Sequence, residues 1–176
     1  MRQQRLEGAV AELVRLNAAF VPKGKGQALR VRASVIGNNA NLSAGAADEV
    51  KLYMVASPID VSAAKPLKVT VDSKVNKSWV GGTGAVNMGC NYAVQVLHEG
   101  NAKKQGYDAV VFTSPEGNVQ TAGAMNVFYV AGSELVTPPL DGLIMPGVTR
   151  DSVIALAGSL GLTVTEAQFT PAELVQ

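Results

Sequence analysis

The chain has 176 residues, a formal net charge of +1 and 47% hydrophobic residues, which suits one domain, or slightly more, with a real hydrophobic core. The balanced charge, without a run of Lys or Arg, argues against direct nucleic-acid binding. One cysteine and one histidine exclude an internal disulfide and a metal cluster built from these side chains, and no apolar run reaches the roughly 20 residues of a membrane-spanning helix.

The N-terminal part of the chain predicts one amphipathic helix followed by strands. Residues 1–19 form the predicted helix, because apolar side chains recur there at helical spacing. These side chains are Leu6, Val10, Leu13 and Val14. Aliphatic and β-branched residues then predict strands at 28–36, 50–57 and 67–71, and a loop rich in Gly, Asn, Ala and Ser separates the first two strands.

The C-terminal part mixes helices and strands. Helices are predicted at 92–104 and 149–160, each followed by a glycine that ends it, and a third begins near residue 170. Strands are predicted at 109–113, 118–121, 126–131, 134–136 and 162–166. Because strands and helices follow one another without a β-α-β rhythm, we expect an α+β fold rather than a doubly wound sheet.

Three blocks of uncommon sequence carry a resemblance to a known family. They are Leu29-Arg-Val-Arg-Ala-Ser-Val-Ile-Gly-Asn, the glycine-rich segment 82–92, and Met125-Asn-Val-Phe with the run 135–152. These blocks resemble segments of the branched-chain aminotransferases, fold-type IV enzymes that depend on pyridoxal phosphate (PLP). The resemblance implies the large-domain core of that fold, in incomplete form. We therefore expect residues 1–176 to be a single aminotransferase-like domain without the family's small N-terminal domain and C-terminal segment.

Two positions that the resemblance assigns to catalysis carry other side chains. Segment 82–92 resembles the family pattern G-T-G-x-x-K-x-G-G-N-Y, whose lysine forms the Schiff base with PLP, and Asn87 occupies the lysine position. An amide nitrogen is not nucleophilic enough to condense with an aldehyde. The glutamate that pairs with the pyridine nitrogen in the family corresponds to Thr121, which carries no charge. The motif places no other lysine to replace the lost one; the candidates are Lys74, Lys77, Lys103 and Lys104.

The resemblance also points to remnants of the cofactor site. Tyr92 matches an active-site tyrosine of the family, or is simply a half-buried aromatic residue with a satisfied hydroxyl. The amides of Val148 and Thr149 begin a helix and face an anion there, unless Thr149 only caps the helix. Cys90 replaces the second glycine of the motif, and we expect it to be a small buried side chain.

These observations predict a truncated, degenerate member of the family that acts without catalysis as a structural subunit of a larger assembly. No cofactor and no metal are expected. The expected partners are other protein subunits that cover apolar faces, and the location is mitochondrial, by analogy with family members, or cytoplasmic. The alternatives are a working PLP-dependent branched-chain transaminase, present as a fragment or one chain of a split enzyme, and a PLP-independent module that binds a small anion.

Overall fold

The computed structural model describes residues 3–40, 45–61 and 65–175, and the chain divides into two compact units, residues 1–65 and 66–176. The first unit contains helix α1 (Gln3–Leu16), a 3-10 turn (Ala18–Phe20) and two antiparallel strands, β1 (Gln27–Gly37) and β2 (Val50–Asp60). All three predicted elements of this region occur, but the helix predicted at 1–19 ends at Leu16, and residues 1–2 lie outside the described residues. The predicted loop between the strands is described only in part, because residues 41–44 lie outside the described residues.

Strand β2 is longer than the sequence predicts. The sequence predicts that the strand ends at residue 57, before Pro58. In the structure its pairing with β1 continues to Asp60, which lies opposite Gln27. Proline cannot donate a ladder hydrogen bond, so it is tolerated on a strand edge that faces no partner. The β1–β2 sheet has only two strands, and each of them therefore has one such edge.

The second unit contains six strands and two α-helices among its described residues. In chain order they are β3 (Val69–Asp72), α2 (Asn91–Lys104), β4 (Ala109–Thr113), β5 (Val119–Ala122), β6 (Tyr129–Ala131), β7 (Glu134–Thr137), α3 (Val148–Ala157) and β8 (Thr163–Glu166). Short 3-10 segments follow α3 (Gly158–Leu160) and end the described chain (Pro171–Val175). Gly106 and Gly161, with φ angles of 85° and 75°, follow the two helical segments, as the sequence predicts.

The strands of this unit form two three-stranded sheets, in the orders β3-β4-β5 and β6-β7-β8. The α+β class is confirmed, but the expectation that no β-α-β unit occurs is wrong. Strand β3 runs parallel to β4 and β7 runs parallel to β8, with α2 and α3 in the respective connections. Long irregular segments, residues 73–90 and 138–147, precede the two helices and hide the rhythm in the sequence.

Strand β4 is the centre of the core. All five of its residues are buried, and successive side chains point to opposite faces of the sheet. Val110 and Phe112 pack with Ala102 of α2, whereas Val111 packs into a second cluster with Val119, Val136 and Phe169. The core thus holds β5 and helix α2 in place, and these elements carry Thr121, Asn91 and Tyr92 of the site described below. No helix in the described ranges combines the length and apolar character needed to cross a bilayer.

Candidate functional site

A cleft in the second unit is the candidate functional site. Its empty space is about 530 Å³ when it is counted out to open solvent. The walls come from the irregular segment before α2, from the first turn of α2, from the end of β5 with the turn after it, and from residues 143–145. Its polar lining residues are Lys77, Ser78, Asn91, Tyr92, Thr121 and Asn126. Its apolar lining residues are Val86, Ala124, Leu143, Ile144 and Met145.

The glycine-rich loop at residues 80–90 is shaped by one side chain at the start of α2. The Asn91 Nδ2 group donates hydrogen bonds to the carbonyl oxygens of Thr83 and Val86, both at 2.7 Å. The Thr83 hydroxyl in turn donates to Asn91 Oδ1 at 2.6 Å. Gly84 lies so close to the backbone of residues 142–143 that an added Cβ would be 2.6 Å from the Leu143 oxygen. The loop therefore depends on an amide and a glycine, which are both part of the motif.

Asn87 lies on the exposed surface of this loop and does not line the cleft. Its Oδ1 accepts a hydrogen bond of 2.9 Å from the hydroxyl of Tyr92, which does line the cleft. The structure thus brings together two of the residues that the motif identified. The pair consists of an amide and a phenol, and neither group supplies a nucleophilic amine.

Thr121 lies on β5, is only 7% exposed and lines the cleft. Its hydroxyl oxygen has no hydrogen-bond partner among the described residues. No acidic side chain is found among the residues that line this cleft.

Lys77 lines the cleft, although the motif assigns it no place in the site. It is half-buried and is the one charged residue among those that line the cleft. Its Nζ donates to the Gly123 carbonyl oxygen at 2.7 Å and lies 5.9 Å from the centre of the Phe112 ring. Desolvation by burial lowers the pKa of Lys77, and the negative charge of Glu99 opposes this shift. No local pattern marks Lys77, because its position depends on the contact between segment 73–90 and the turn after β5.

Val148 and Thr149 lie outside the lining of the cleft. Val148 is 84% exposed and Thr149 is also exposed. The prediction that Thr149 caps the helix is wrong, because α3 already begins at Val148, with Gly147 as the N-cap residue and without a side-chain cap. A Cβ on Gly147 would overlap with Asn126 Oδ1, so a larger residue at this position fits only if the Asn126 side chain shifts.

Cys90 is exposed, so the prediction of a buried side chain is wrong. It lies in the turn that immediately precedes α2, and its sulfur is 3.7 Å from Asn91 Oδ1. The family motif has glycine at this position, but the turn leaves the side chain free to point toward solvent. No group of three or more His, Cys, Asp or Glu side chains in the described residues is arranged to hold a metal ion.

Comparison with known proteins relates the whole chain to one family. The pattern of the amino-transferase class IV family matches residues 1–176. The chain is 36% identical over 177 residues to a probable branched-chain-amino-acid aminotransferase of Staphylococcus aureus (strain MRSA252), an alignment that covers 97% of this chain and 49% of that protein. It is 35% identical over 182 residues to the branched-chain-amino-acid aminotransferase of Dictyostelium discoideum, covering 96% of this chain and 48% of that protein.

Solved structures agree with this relation. The branched-chain amino acid aminotransferase from Thermobaculum terrenum in its PLP form matches with a TM-score of 0.71 and 26% identity, over 95% of this chain and 54% of that one. The enzyme from Thermoproteus uzoniensis with norvaline has a TM-score of 0.81 at 24% identity, over 97% of this chain and 56% of that one, and this likeness supports the fold alone. The chain therefore spans about half the length of the relatives that it matches.

Proposed function

We propose that this chain, which belongs to the amino-transferase class IV family, is a non-catalytic branched-chain-aminotransferase-like protein that serves as a structural or accessory subunit of a larger assembly. The observation that carries the proposal is the amide at the Schiff-base position. Asn87 has no amine, and its carbonyl oxygen already accepts a hydrogen bond from Tyr92.

The chemistry of PLP supports the loss of catalysis. The cofactor needs a lysine amine for tethering and proton transfer and an acid beside the pyridine nitrogen. At the corresponding positions this chain has Asn87 and Thr121, and the lining of the cleft includes no carboxylate. These residues do not fit a PLP molecule held and activated as the family resemblance implies.

Exposed apolar side chains support the role as a subunit. Leu156 near the end of α3 and Leu160 in the 3-10 segment after it are 61% and 74% exposed. Val96 and Leu97 on α2 are exposed to a similar degree, and so is Phe20 in the first unit. Large exposed apolar patches mark protein interfaces in many folded proteins. The proposed partners are therefore other protein subunits.

The proposed location is mitochondrial, with the cytoplasm as the alternative. The relatives from Saccharomyces cerevisiae and Bos taurus are named as mitochondrial branched-chain-amino-acid aminotransferases. The yeast protein is 36% identical over 156 residues, covering 83% of this chain and 40% of its own length. Fractionation of the source cells, with the chain detected by antibody, tests this part of the proposal.

The main test is to isolate the chain from its own cells under native conditions and to measure the mass of what co-purifies. We expect a complex of defined stoichiometry with at least one different protein. The same preparation should show no aldimine absorbance after PLP is added and no transamination of leucine with 2-oxoglutarate. A cooperatively folded monomer without partners contradicts the structural role, and measurable transamination contradicts the loss of catalysis.

A second candidate function is a working transaminase, present as a fragment or as one chain of a split enzyme. The amine of Lys77 in the cleft is the observation that favours it. It predicts that borohydride treatment of the PLP-treated protein leaves a reduced adduct on this lysine, which peptide mass spectrometry locates. The variant Asn87→Lys/Thr121→Glu provides the complementary test, because restored PLP binding indicates that only these two positions were lost.

A further inference from the structure

A second cavity in the same unit is lined by a buried amide without a hydrogen-bond partner. Gln120 on β5 is 2% exposed and lines this cavity. Neither its Nε2 nor its Oε1 atom has a partner in the described structure. Exchanging the two atoms does not remove the deficit, because both are unpaired. Buried polar side chains in folded proteins are almost always hydrogen-bonded, so this amide calls for a missing partner.

The second cavity is separate from the cleft described above. Thr121 lines the cleft, whereas Gln120, the preceding residue on β5, lines the second cavity. Successive side chains of a strand point to opposite faces of its sheet. The two linings share Leu143 and Ile144 and, among the described residues, no polar side chain. The empty space of the second cavity is about 230 Å³ when it is counted out to open solvent, so it admits a small group.

The other polar side chains that line the second cavity already have partners. Asn118 Nδ2 donates a hydrogen bond to Gln168 Oε1 at 2.9 Å. Asp141 Oδ1 accepts one from a backbone amide at 3.0 Å, and Ser114 Oγ accepts one from the backbone amide of Asn118 at 3.3 Å. The amide of Gln120 is therefore the polar group of this lining that a ligand would satisfy.

The charges around the second cavity disfavour an anion. Asp141 is the one charged residue among the described residues that line it. A hydrogen bond from a lining serine hydroxyl lowers the pKa of Glu116, which is therefore negative at neutral pH. The buried Arg150 donates to the carbonyl oxygen of Pro138, a lining residue, but its charge is paired with Glu166 at 2.6 Å.

The hydrogen-bonding capacity of the Gln120 side chain selects the ligand group. Its NH2 group donates and its oxygen accepts. A carboxylate only accepts, and an ammonium or guanidinium group only donates, so each of them leaves one of the two atoms unpaired. A primary amide donates and accepts through neighbouring atoms, and it can therefore pair with both atoms of Gln120 at once.

We infer that the second cavity binds a neutral primary amide group, whose oxygen accepts a hydrogen bond from Gln120 Nε2 and whose NH2 group donates to Gln120 Oε1. Pro138 and Pro139 in the lining offer apolar contact to the carbon atoms attached to it. The group belongs to a free small molecule or to an asparagine or glutamine side chain of another protein. This binding goes beyond the proposed subunit role and involves neither position that the motif assigns to catalysis.

The test is an NMR titration of the full chain with propanamide, followed through the side-chain NH2 signals of Gln120. We expect saturable shifts with a dissociation constant in the millimolar range, because the ligand has few atoms. Gln120→Met, followed through the backbone amide of Asn118, should weaken binding roughly tenfold or more, because two hydrogen bonds are lost. Gln105→Met removes the same amide from an exposed position outside the cavity and should change the affinity less than twofold.

Further ligands test the chemistry and identify the source of the amide. Propanoate has nearly the same shape as propanamide but only accepts hydrogen bonds, and it should bind at least tenfold more weakly. N-acetyl-asparagine N-methylamide represents the side chain of another protein, and its alanine counterpart, which lacks the primary amide, should not shift the Gln120 signals. If the asparagine compound binds more tightly than propanamide, the source is a protein side chain, and the opposite order indicates a free small molecule.

Equal propanamide affinity of the wild type and Gln120→Met overturns the inference, and so do Gln120 signals that propanamide does not shift. In the second case, a cross-peak between these signals and water identifies an ordered water as the partner of the amide. The titration of the wild type decides the question even if Gln120→Met does not fold. The subunit role is tested by co-purification and the loss of catalysis by the transamination assay, so each proposal fails by its own measurement.

Discussion

The two positions that the motif assigns to catalysis lie in contrasting surroundings near the same cleft. Asn87 is on an exposed loop and accepts a hydrogen bond from Tyr92. Thr121 is buried on strand β5, and its hydroxyl has no partner in the described structure. An uncharged polar side chain therefore has different consequences at the two positions. The exposed substitution is accommodated by a neighbour or by water, whereas the buried one leaves a polar atom without compensation.

The largest expected effect sharpens the contrast between the buried strands and the exposed segment before α2. Phe112→Ala should lower the free energy of unfolding by about 3–5 kcal/mol, because the side chain is fully buried and its loss leaves a cavity. Trp79→Ala is the matched control, since Trp79 is 58% exposed, and it should cost less than about 1 kcal/mol. Urea denaturation measures both. Similar losses of unfolding free energy in the two variants contradict the contrast between the buried strands and the exposed segment.

The next prediction tests whether the exposed glycine-rich loop at residues 80–90 is constrained by its neighbours. Gly84→Ala should destabilise the chain by about 1–3 kcal/mol, because the added Cβ would lie 2.6–2.7 Å from the carbonyl oxygens of Leu143 and Gly142. Gly89→Ala places a Cβ in the same loop with no atom within 4 Å, and should change the unfolding free energy by less than about 0.5 kcal/mol. Thermal denaturation of the two variants side by side provides the comparison.

The altered positions themselves should respond with opposite signs. Thr121→Val should stabilise the free protein by about 1 kcal/mol, because it removes a buried hydroxyl without a partner. Asn87→Ala should destabilise it by about 0.5 kcal/mol, since it removes an exposed hydrogen bond to Tyr92. Chemical denaturation without carboxylate in the buffer is the measurement. A destabilised Thr121→Val variant indicates a partner, such as an ordered water, for this hydroxyl.

The smallest effect concerns pH. Burial lowers the pKa of Lys77 below its usual 10.5, so the folded state binds this proton less tightly than the unfolded state does. Burial of the protonated amine therefore destabilises the folded state most at pH values below the folded pKa. This destabilisation disappears as the pH rises from the folded pKa to 10.5. Stability of the wild type relative to Lys77→Gln should rise across that interval. A difference that stays constant with pH contradicts the shift.

Local sequence was enough to predict elements whose residues all favour the same type of secondary structure. Strand β4 was predicted with its exact ends, because five consecutive residues suit a strand buried on both faces. Helix α2 was also predicted correctly to within one residue at its start, and Gly106 follows it at a positive φ. Helix α3 was predicted one residue late at its start, and the last three predicted residues form a 3-10 segment after Ala157.

The candidate site was predictable only where a motif named it. Asn87, Thr121 and Tyr92 were found by position in the motif, and the structure places Thr121 and Tyr92 in the cleft. Val148 and Thr149 were named in the same way but do not line it. Cys90 was predicted to be buried because a side chain replaces a glycine, yet the turn before α2 exposes it. A motif specifies residue types along the chain but not the direction in which each side chain points.

The sequence by itself determined the types of most elements, the α+β class and the amide at the position that the motif assigns to the Schiff-base lysine, because these depend on residue identity and local spacing. Only the tertiary structure decided that Lys77 and Thr121 face one cleft without a carboxylate in its lining. Lys77 and Thr121 are far apart in the chain and belong to different segments. The physical reason is that burial and charge compensation are set by contacts between distant segments, and no local pattern records them.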